Sequence, residues 1–250
     1  MNYEIVGLCE TGLKREVNQD AVFWAQEGDA AICLVADGMG GHSHGEVASN
    51  LIRQTVAGCW NLFCRDNSIR DFRTMITLLS SELEKANQKL FREYCRHGMC
   101  GSTIALLFCF QNRYAVLHAG DSRVYLKKRF SRVQLTVDEV WENQKNLPAV
   151  LRQDLQNVNR GKLVNAFGSD EELHMRMMTN ELKDGDLFLL CSDGLYKMCS
   201  DEQIYRAMGR ARKGREIMKQ SLLDLKAKTE AAGAKDNFSI IMLRTLRRTM

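Results

Sequence analysis

The sequence contains a single proline, Pro148, in 250 residues, and nowhere do enough apolar residues run together to span a bilayer. The first absence excludes collagen-like and proline-rich chains, and the second leaves no transmembrane helix to read. Nine cysteines, at 9, 33, 59, 64, 95, 100, 109, 191 and 199, include no C-x-x-C pair. An odd number without paired spacing argues against both a disulfide framework and a zinc site. Charge of one sign is scarce too. Lys and Arg number 35 against 31 Asp and Glu, a formal +4 too small and too scattered to imply a nucleic-acid partner. The opening MNYEIVGLCETGLKREVNQD lacks a basic start followed by an apolar stretch, so neither export nor a membrane partner is expected. Cysteines inside apolar runs (Cys33, Cys59, Cys109, Cys191) suit a reducing cytoplasm, and the cytoplasmic monomer is the expectation.

What remains is an ordinary globular composition, 45% hydrophobic and 26% charged. A chain of this length buries roughly 70–75% of its unfolded surface and needs no structural metal, so any metal would serve chemistry. Alternation predicts short strands at Tyr3 to Leu8, Ala21 to Ala25 and Ala30 to Val35. From Glu46 the apolar period changes to three and four residues, predicting two helices, one through Phe63 and one from Phe72 to Tyr94. Strand character returns at Thr103 to Phe110, Arg113 to His118, Arg123 to Leu126 and Arg132 to Leu135, a meander of four with Gln111-Asn112 as a hairpin connection. The segment 137–170 matches no period and reads as a flap, with a short helix near Ala149 to Leu155. Strands at His174 to Met178 and Asp186 to Cys191, helices at Glu202 to Met208 and Arg215 to Thr229, and a strand at Phe238 to Leu243 complete the chain. Strand runs on either side of a helix pair predict an α+β class: two antiparallel sheets flanked by helices, in one domain over 1–250.

Aspartates recur where strands meet loops: Asp20, Asp37, Asp121, Asp193 and Asp236. Each alone suits an Asx turn. Together, brought to one place, they would repel unless a cation neutralised them, and all-oxygen ligands suit Mg²⁺ or Mn²⁺. Gly38, lacking a side chain, lets its backbone approach closely and offers its carbonyl as a further ligand.

The ordered blocks LKREVNQD, VADGMGGHSHGEVAS, GST, HAGDSRVY, LLCSDGL and KDNFSIIML resemble the type 2C metal-dependent protein phosphatases, in the form of their bacterial branch, over Gly12 to Leu243. The resemblance implies a sandwich of two antiparallel sheets with helix pairs outside and a binuclear metal centre at one end. By the same resemblance Asp37 would bridge two ions, with the Gly38 carbonyl on one and Asp193 and Asp236 on the other. Asp20 would hold a metal-bound water, and Asp121 with Asp193 a third, weaker ion. Arg15 takes the place of the phosphate clamp, suited by its planar fork of donors, and His42 that of the general acid, with His44 and water as competitors. His118, His97 and His174 read as satisfied or solvated side chains.

The resemblance implies hydrolysis of phosphoserine and phosphothreonine in proteins, reversing a bacterial Ser/Thr kinase that is itself among the partners. A catalytically silent relative that binds phosphoproteins is the alternative, disfavoured because it would have no reason to keep a self-repelling acidic set. The chain departs from the family at LTVDEVWENQ, where L-T-x-D-H-S is usual, so that Glu139 stands in place of a His. An altered substrate preference is the expectation there.

Overall fold

The parity of side chains along the strands explains the architecture. In the computed structural model, which describes residues 1–40, 45–94, 100–143 and 162–247, strand β3 (Ala30–Met39) turns Ala30, Ile32, Leu34 and Ala36 to one side and Ala31, Cys33 and Val35 to the other, all seven buried. A strand apolar on both faces must be covered on both. One face of its sheet packs on α1 (Gly45–Arg65) and α2 (Phe72–Glu93), and the other on a second sheet.

The sheet containing β3 has the order β2-β3-β5-β6-β9, from β2 (Asp20–Glu27), β5 (Ile104–Phe110), β6 (Arg113–Ala119) and β9 (Arg176–Glu181). The two-residue β4 (Gly101–Ser102) pairs with the end of β3. The second sheet has the order β1-β11-β10-β7-β8, from β1 (Asn2–Glu10), β7 (Arg123–Lys127), β8 (Arg132–Gln134), β10 (Leu187–Cys191) and β11 (Phe238–Leu246). Every pairing among these strands is antiparallel. Its outer face carries Leu187, Leu189, Cys191, Ile240 and Met242 against α4 (Asp201–Ala211) and α5 (Arg215–Ala231), which follow the one-turn helix α3 (Asp193–Tyr196). Between the sheets lie Phe188, Leu190, Ile241 and Leu243, meeting Cys33, Val35, Leu107 and Val116. Each such side chain contributes about 1.5–3 kcal/mol by leaving water, so these three apolar layers define the four-layer order of helices, sheet, sheet, helices.

The helices follow the periods read from the sequence. On α1, Ala48, Ile52, Val56, Cys59, Trp60 and Phe63 are buried, and on α2, Phe72, Met75, Leu79, Leu83 and Leu90. The Asp71 side chain caps α2 by accepting from Thr74 N–H, and a reciprocal box between Ser200 and Gln203 caps α4. No described helix is long and apolar enough to cross a membrane.

The expected meander of four is corrected by the structure. Strands β5 and β6 form the hairpin around Gln111-Asn112, but β7 and β8 belong to the other sheet. Both edges of β6 are taken, by β5 and β9, so the chain crosses to the opposite sheet at Gly120 to Ser122. Within the flap, Trp141–Asn143 forms a 3-10 turn and bridges join Val140 to Leu163 and Ser102 to Phe167. The helix expected near Ala149 to Leu155 lies outside the described residues.

Candidate metal centre

The inward-facing series of the strands change from apolar to polar at one rim of the sandwich. On β3 the series Ala31, Cys33, Val35 continues to Asp37, whose partner across the antiparallel pair is Asp20, the first residue of β2. On the opposite sheet the series Leu243, Ile241 ends at Ser239, and Phe188, Leu190 runs on to Ser192. Both hydroxyls donate to Asp20 Oδ2, each at 2.7 Å. Asp20 Oδ1 is buried with no hydrogen-bond partner among the described residues, a costly condition for a carboxylate oxygen.

Above Asp20 opens a cleft of about 220 Å³ lined by Arg15, Asp37, Gly38, Asp121, Asp193 and Asp236. Five of the six residues expected to hold metal, together with the expected phosphate clamp, therefore share one concavity, and Asp20 lies beneath it. Asp37 is fixed through its backbone: its N–H donates to Thr103 Oγ1 at 3.0 Å and its carbonyl accepts from Thr103 N–H at 2.9 Å. Gly38 is obligatory by contact. A Cβ there would stand 2.3 Å from the Gly45 carbonyl oxygen and 2.5 Å from that of Gln19.

Asp121 lies where the chain crosses between sheets, Asp193 opens α3, and Asp236 precedes β11. Arg15 reaches Asp236 with both Nε and Nη2 at 2.9 Å, and the pair is about half exposed. Lys197 Nζ donates to Asp193 Oδ2, and the Tyr196 hydroxyl donates to Asp121 Oδ2 at 3.1 Å. Asn237 anchors the loop that bears Arg15: its Oδ1 accepts from Gln19 N–H, and its Nδ2 donates to the carbonyls of Thr11 and Val17.

Burial, and after it the crowding of like charge, perturbs these acids. Burial pushes Asp20 up to about 7, with Asp193 and Asp236 adding to the effect and the Ser192 and Ser239 hydroxyls opposing it. Burial and the facing Asp20, Asp193, Asp121 and Asp236 hold Asp37 well above the usual carboxylate range. Asp121 is raised to about 6 by burial and by Asp193, against the Tyr196 hydroxyl. An acidic set that retains protons near neutrality is one that a divalent cation can deprotonate and bind.

Among the described residues no group of three or more acidic, histidine or cysteine side chains is gathered so as to hold a metal ion as it stands; Arg15 and Lys197 hold two of the acids. Three features nonetheless fit a hard cation: an all-oxygen donor set, the orphaned Asp20 Oδ1, and a carbonyl cradle at Gly38 that a side chain would fill. His42 and His44 lie outside the described residues, as does His97. His118 departs from the expectation of a satisfied side chain. It is buried in the inward series after Val116, and neither ring nitrogen has a hydrogen-bond partner among the described residues. Burial lowers its pKa, with Glu139 and Asp138 opposing.

Several residues of the site were not singled out in the sequence. Ser192, Ser239 and Asn237 sit inside the quoted blocks LLCSDGL and KDNFSIIML, so their neighbours marked the place and only their roles were hidden. Glu139, the residue in place of the family's His, accepts from Gly120 N–H at 3.0 Å and from Asn165 Nδ2 at 2.6 Å, and pairs with Arg176. It ties the turn before Asp121 to the flap and to β9.

Comparison with known proteins identifies the family and the fold. The family model described as Protein phosphatase 2C matches residues 13–225. Protein phosphatase PhpP of Streptococcus pneumoniae is 30% identical over 207 residues, 80% of this chain and 82% of that protein. Among solved structures, PppA, described as a key regulatory component of T6SS in Pseudomonas aeruginosa, superposes with a TM-score of 0.80 at 27% identity, covering 98% of each chain. The catalytic domain of serine threonine protein phosphatase PstP in complex with 2 manganese ions shares the fold, with a TM-score of 0.74 at 24% identity over 98% of this chain and 99% of that one.

Proposed function

The chain belongs to the protein phosphatase 2C family, and from that membership we propose that it is a metal-dependent protein phosphatase that hydrolyses phosphoserine and phosphothreonine in proteins. The observation that carries this reading is the convergence of Asp37, Asp193, Asp236, Asp121 and the Gly38 backbone on one cleft with Arg15. Asp37 and Gly38 would hold one divalent ion and Asp37, Asp193 and Asp236 the other, Mn²⁺ or Mg²⁺, the PstP structure being one with two manganese ions. When bound, such a pair lowers the pKa of water and supplies the attacking group near neutral pH, so no protein nucleophile is required. Asp20 would orient a water through its unpartnered Oδ1, its other oxygen being fixed by two serines. Asp121 with Asp193 offers a place for one further, weaker cation.

Arg15 would bind the substrate. Its fork already grips a carboxylate with two nitrogens, and a phosphate presents oxygens at matching spacing, so it can exchange Asp236 for the substrate without changing its donor geometry. His42 is assigned the proton for the departing Ser or Thr oxygen from its place in DGMGGH. The flap, 137–170, would select the protein substrate within a single catalytic domain.

The biological reading is a signalling enzyme that reverses a Ser/Thr kinase and counts that kinase among its substrates, acting as a cytoplasmic monomer without nucleic acid or membrane. Cys33, Cys59, Cys109, Cys191 and Cys199 are buried thiols outside any disulfide, which suits a reducing compartment. The test is hydrolysis of a phosphothreonine peptide with Mn²⁺ or Mg²⁺, with EDTA, and with Asp37→Asn. Turnover that needs a divalent ion and fails in the variant is expected. Turnover indifferent to EDTA would refute the two-ion centre, and none at any metal concentration would favour the silent relative.

A further inference from the structure

Two consecutive side chains bond to acids of the cleft and take no part in the chemistry above. Tyr196 ends α3 and Lys197 caps it, the turn closing as Lys197 N–H donates to the Asp193 carbonyl at 3.0 Å. That spacing brings Lys197 Nζ back onto Asp193 Oδ2, where Asp121 and Asp37 also face its charge. The Tyr196 hydroxyl meanwhile donates to Asp121 Oδ2. Tyr196 is held in place by Arg123, whose guanidinium carbon lies 3.6 Å from the ring centroid and whose nitrogens reach Asp138 at 2.7 and 3.0 Å.

Asp121, with Asp193 shared from the two-ion centre, is the place for a further cation, and each of these two acids is already engaged by a neighbour, Asp121 by Tyr196 and Asp193 by Lys197. We propose that Lys197 is the cation of that place: its ammonium, beside the Tyr196 hydroxyl, stands where a third divalent ion would bind, so that this chain takes up two ions and not three. The inference rests on the two-ion reading above. A tethered ammonium competes at high effective concentration, since it gives up no free translation to arrive. Electrostatics favour the same count. With Lys197 in place, two divalent ions and Arg15 already overcompensate Asp20, Asp37, Asp121, Asp193 and Asp236 by one charge, and a third divalent ion would raise that excess to three, one more than it would reach without Lys197.

The metal-stripped whole chain is titrated with MnCl₂ by calorimetry, and bound manganese is counted by equilibrium dialysis. Two equivalents are expected for the wild type and for Lys197→Arg, which keeps the charge. Lys197→Ala is expected to gain a third equivalent, at least about tenfold tighter than any residual binding by the wild type, and Lys197→Ala/Asp121→Asn to lose it. Lys197 is 53% exposed, so its removal should leave the melting curve unchanged. Three equivalents in the wild type, or a Lys197→Ala isotherm that overlays it, would overturn the proposal. A wild-type count of zero would remove the two-ion reading itself and the proposal with it, and is told apart from those results by the count alone.

Discussion

Asp20 and Asp37 stand directly opposite one another across β2 and β3, two acids paired in register at the rim of the sandwich. Like charges in that relation destabilise an antiparallel pair. The pH dependence of the metal-stripped protein should expose the cost. An unfolded Asp titrates near 3.9, whereas burial holds Asp20 at about 7. Between those values the native state keeps a proton that the unfolded state has lost, so stability falls as pH rises through the window. Scanning calorimetry of the stripped wild type should therefore give a higher Tm at pH 5 than at pH 8. Asp20→Asn should flatten the slope, the difference amounting to something on the order of 3 kcal/mol. A wild type and variant with parallel pH profiles would contradict the assignment.

Arg15→Ala separates substrate binding from ion binding. The Arg15 pair with Asp236 is half exposed and contributes at most about 1 kcal/mol to folding. Its loss should leave Tm nearly unchanged and Mn²⁺ affinity equal or slightly higher, because Asp236 is released. KM for a phosphopeptide should rise about 10- to 100-fold, as for loss of hydrogen bonds to a charged group. A collapse of Mn²⁺ binding by calorimetry would mean that Arg15 supports the metal centre and not the phosphate.

Gly38→Ala tests the close approach beneath the cleft. A methyl group 2.3 Å from one backbone oxygen and 2.5 Å from another cannot be accommodated by a rotamer change, because neither neighbour is a flexible side chain. Either β3 or the start of α1 must shift. Urea denaturation should show a loss of about 3 kcal/mol or more, with manganese binding impaired in the fraction that folds. Unaltered unfolding would show that the strand has slack that the structure does not suggest.

Asn237→Ala should act on Arg15 from a distance. The amide group holds three backbone atoms of the loop 11–19, at Thr11, Val17 and Gln19. Truncation leaves those groups to find water or go unpaired, at about 1–3 kcal/mol for each that stays buried. Lower Tm together with higher KM is expected, and hydrogen exchange should quicken at Gln19 N–H. An unchanged KM would show that Arg15 does not depend on the loop's order.

Much of this was legible because the controlling patterns are local. The 3.6 period of Ile52, Val56, Trp60 and Phe63 and the two-residue period of β3 each place a covering layer without knowledge of the rest. The acids were legible as a set because each sits at a strand end beside a Gly or Asn, or one residue away from one as Asp20 is from Asn18. Sheet membership was not. HAGDSRVYLK reads as two strands joined by a short turn, and only the pairing of β6 with the distant β9 shows that β7 must go elsewhere. Asn87 is a further example: it falls on the apolar face of α2, and its reason for being there is the carbonyls of Asp170 and Glu171 and the Gly168 N–H, more than eighty residues on. His118 and Lys197 were unremarkable for the same reason, since what makes them unusual is supplied by strands and turns remote in the chain.

The proposed centre draws Asp20 and Asp37 from one sheet and Asp193 and Asp236 from just beyond strand ends of the other. It is thus a seam as well as a workplace, and whatever is gripped there rivets the two leaves together. Ligation to the folded form alone lowers the population of opened molecules. If the ions bind as proposed, divalent metal would thus serve this protein twice, in turnover and in holding its rim closed against proteolysis.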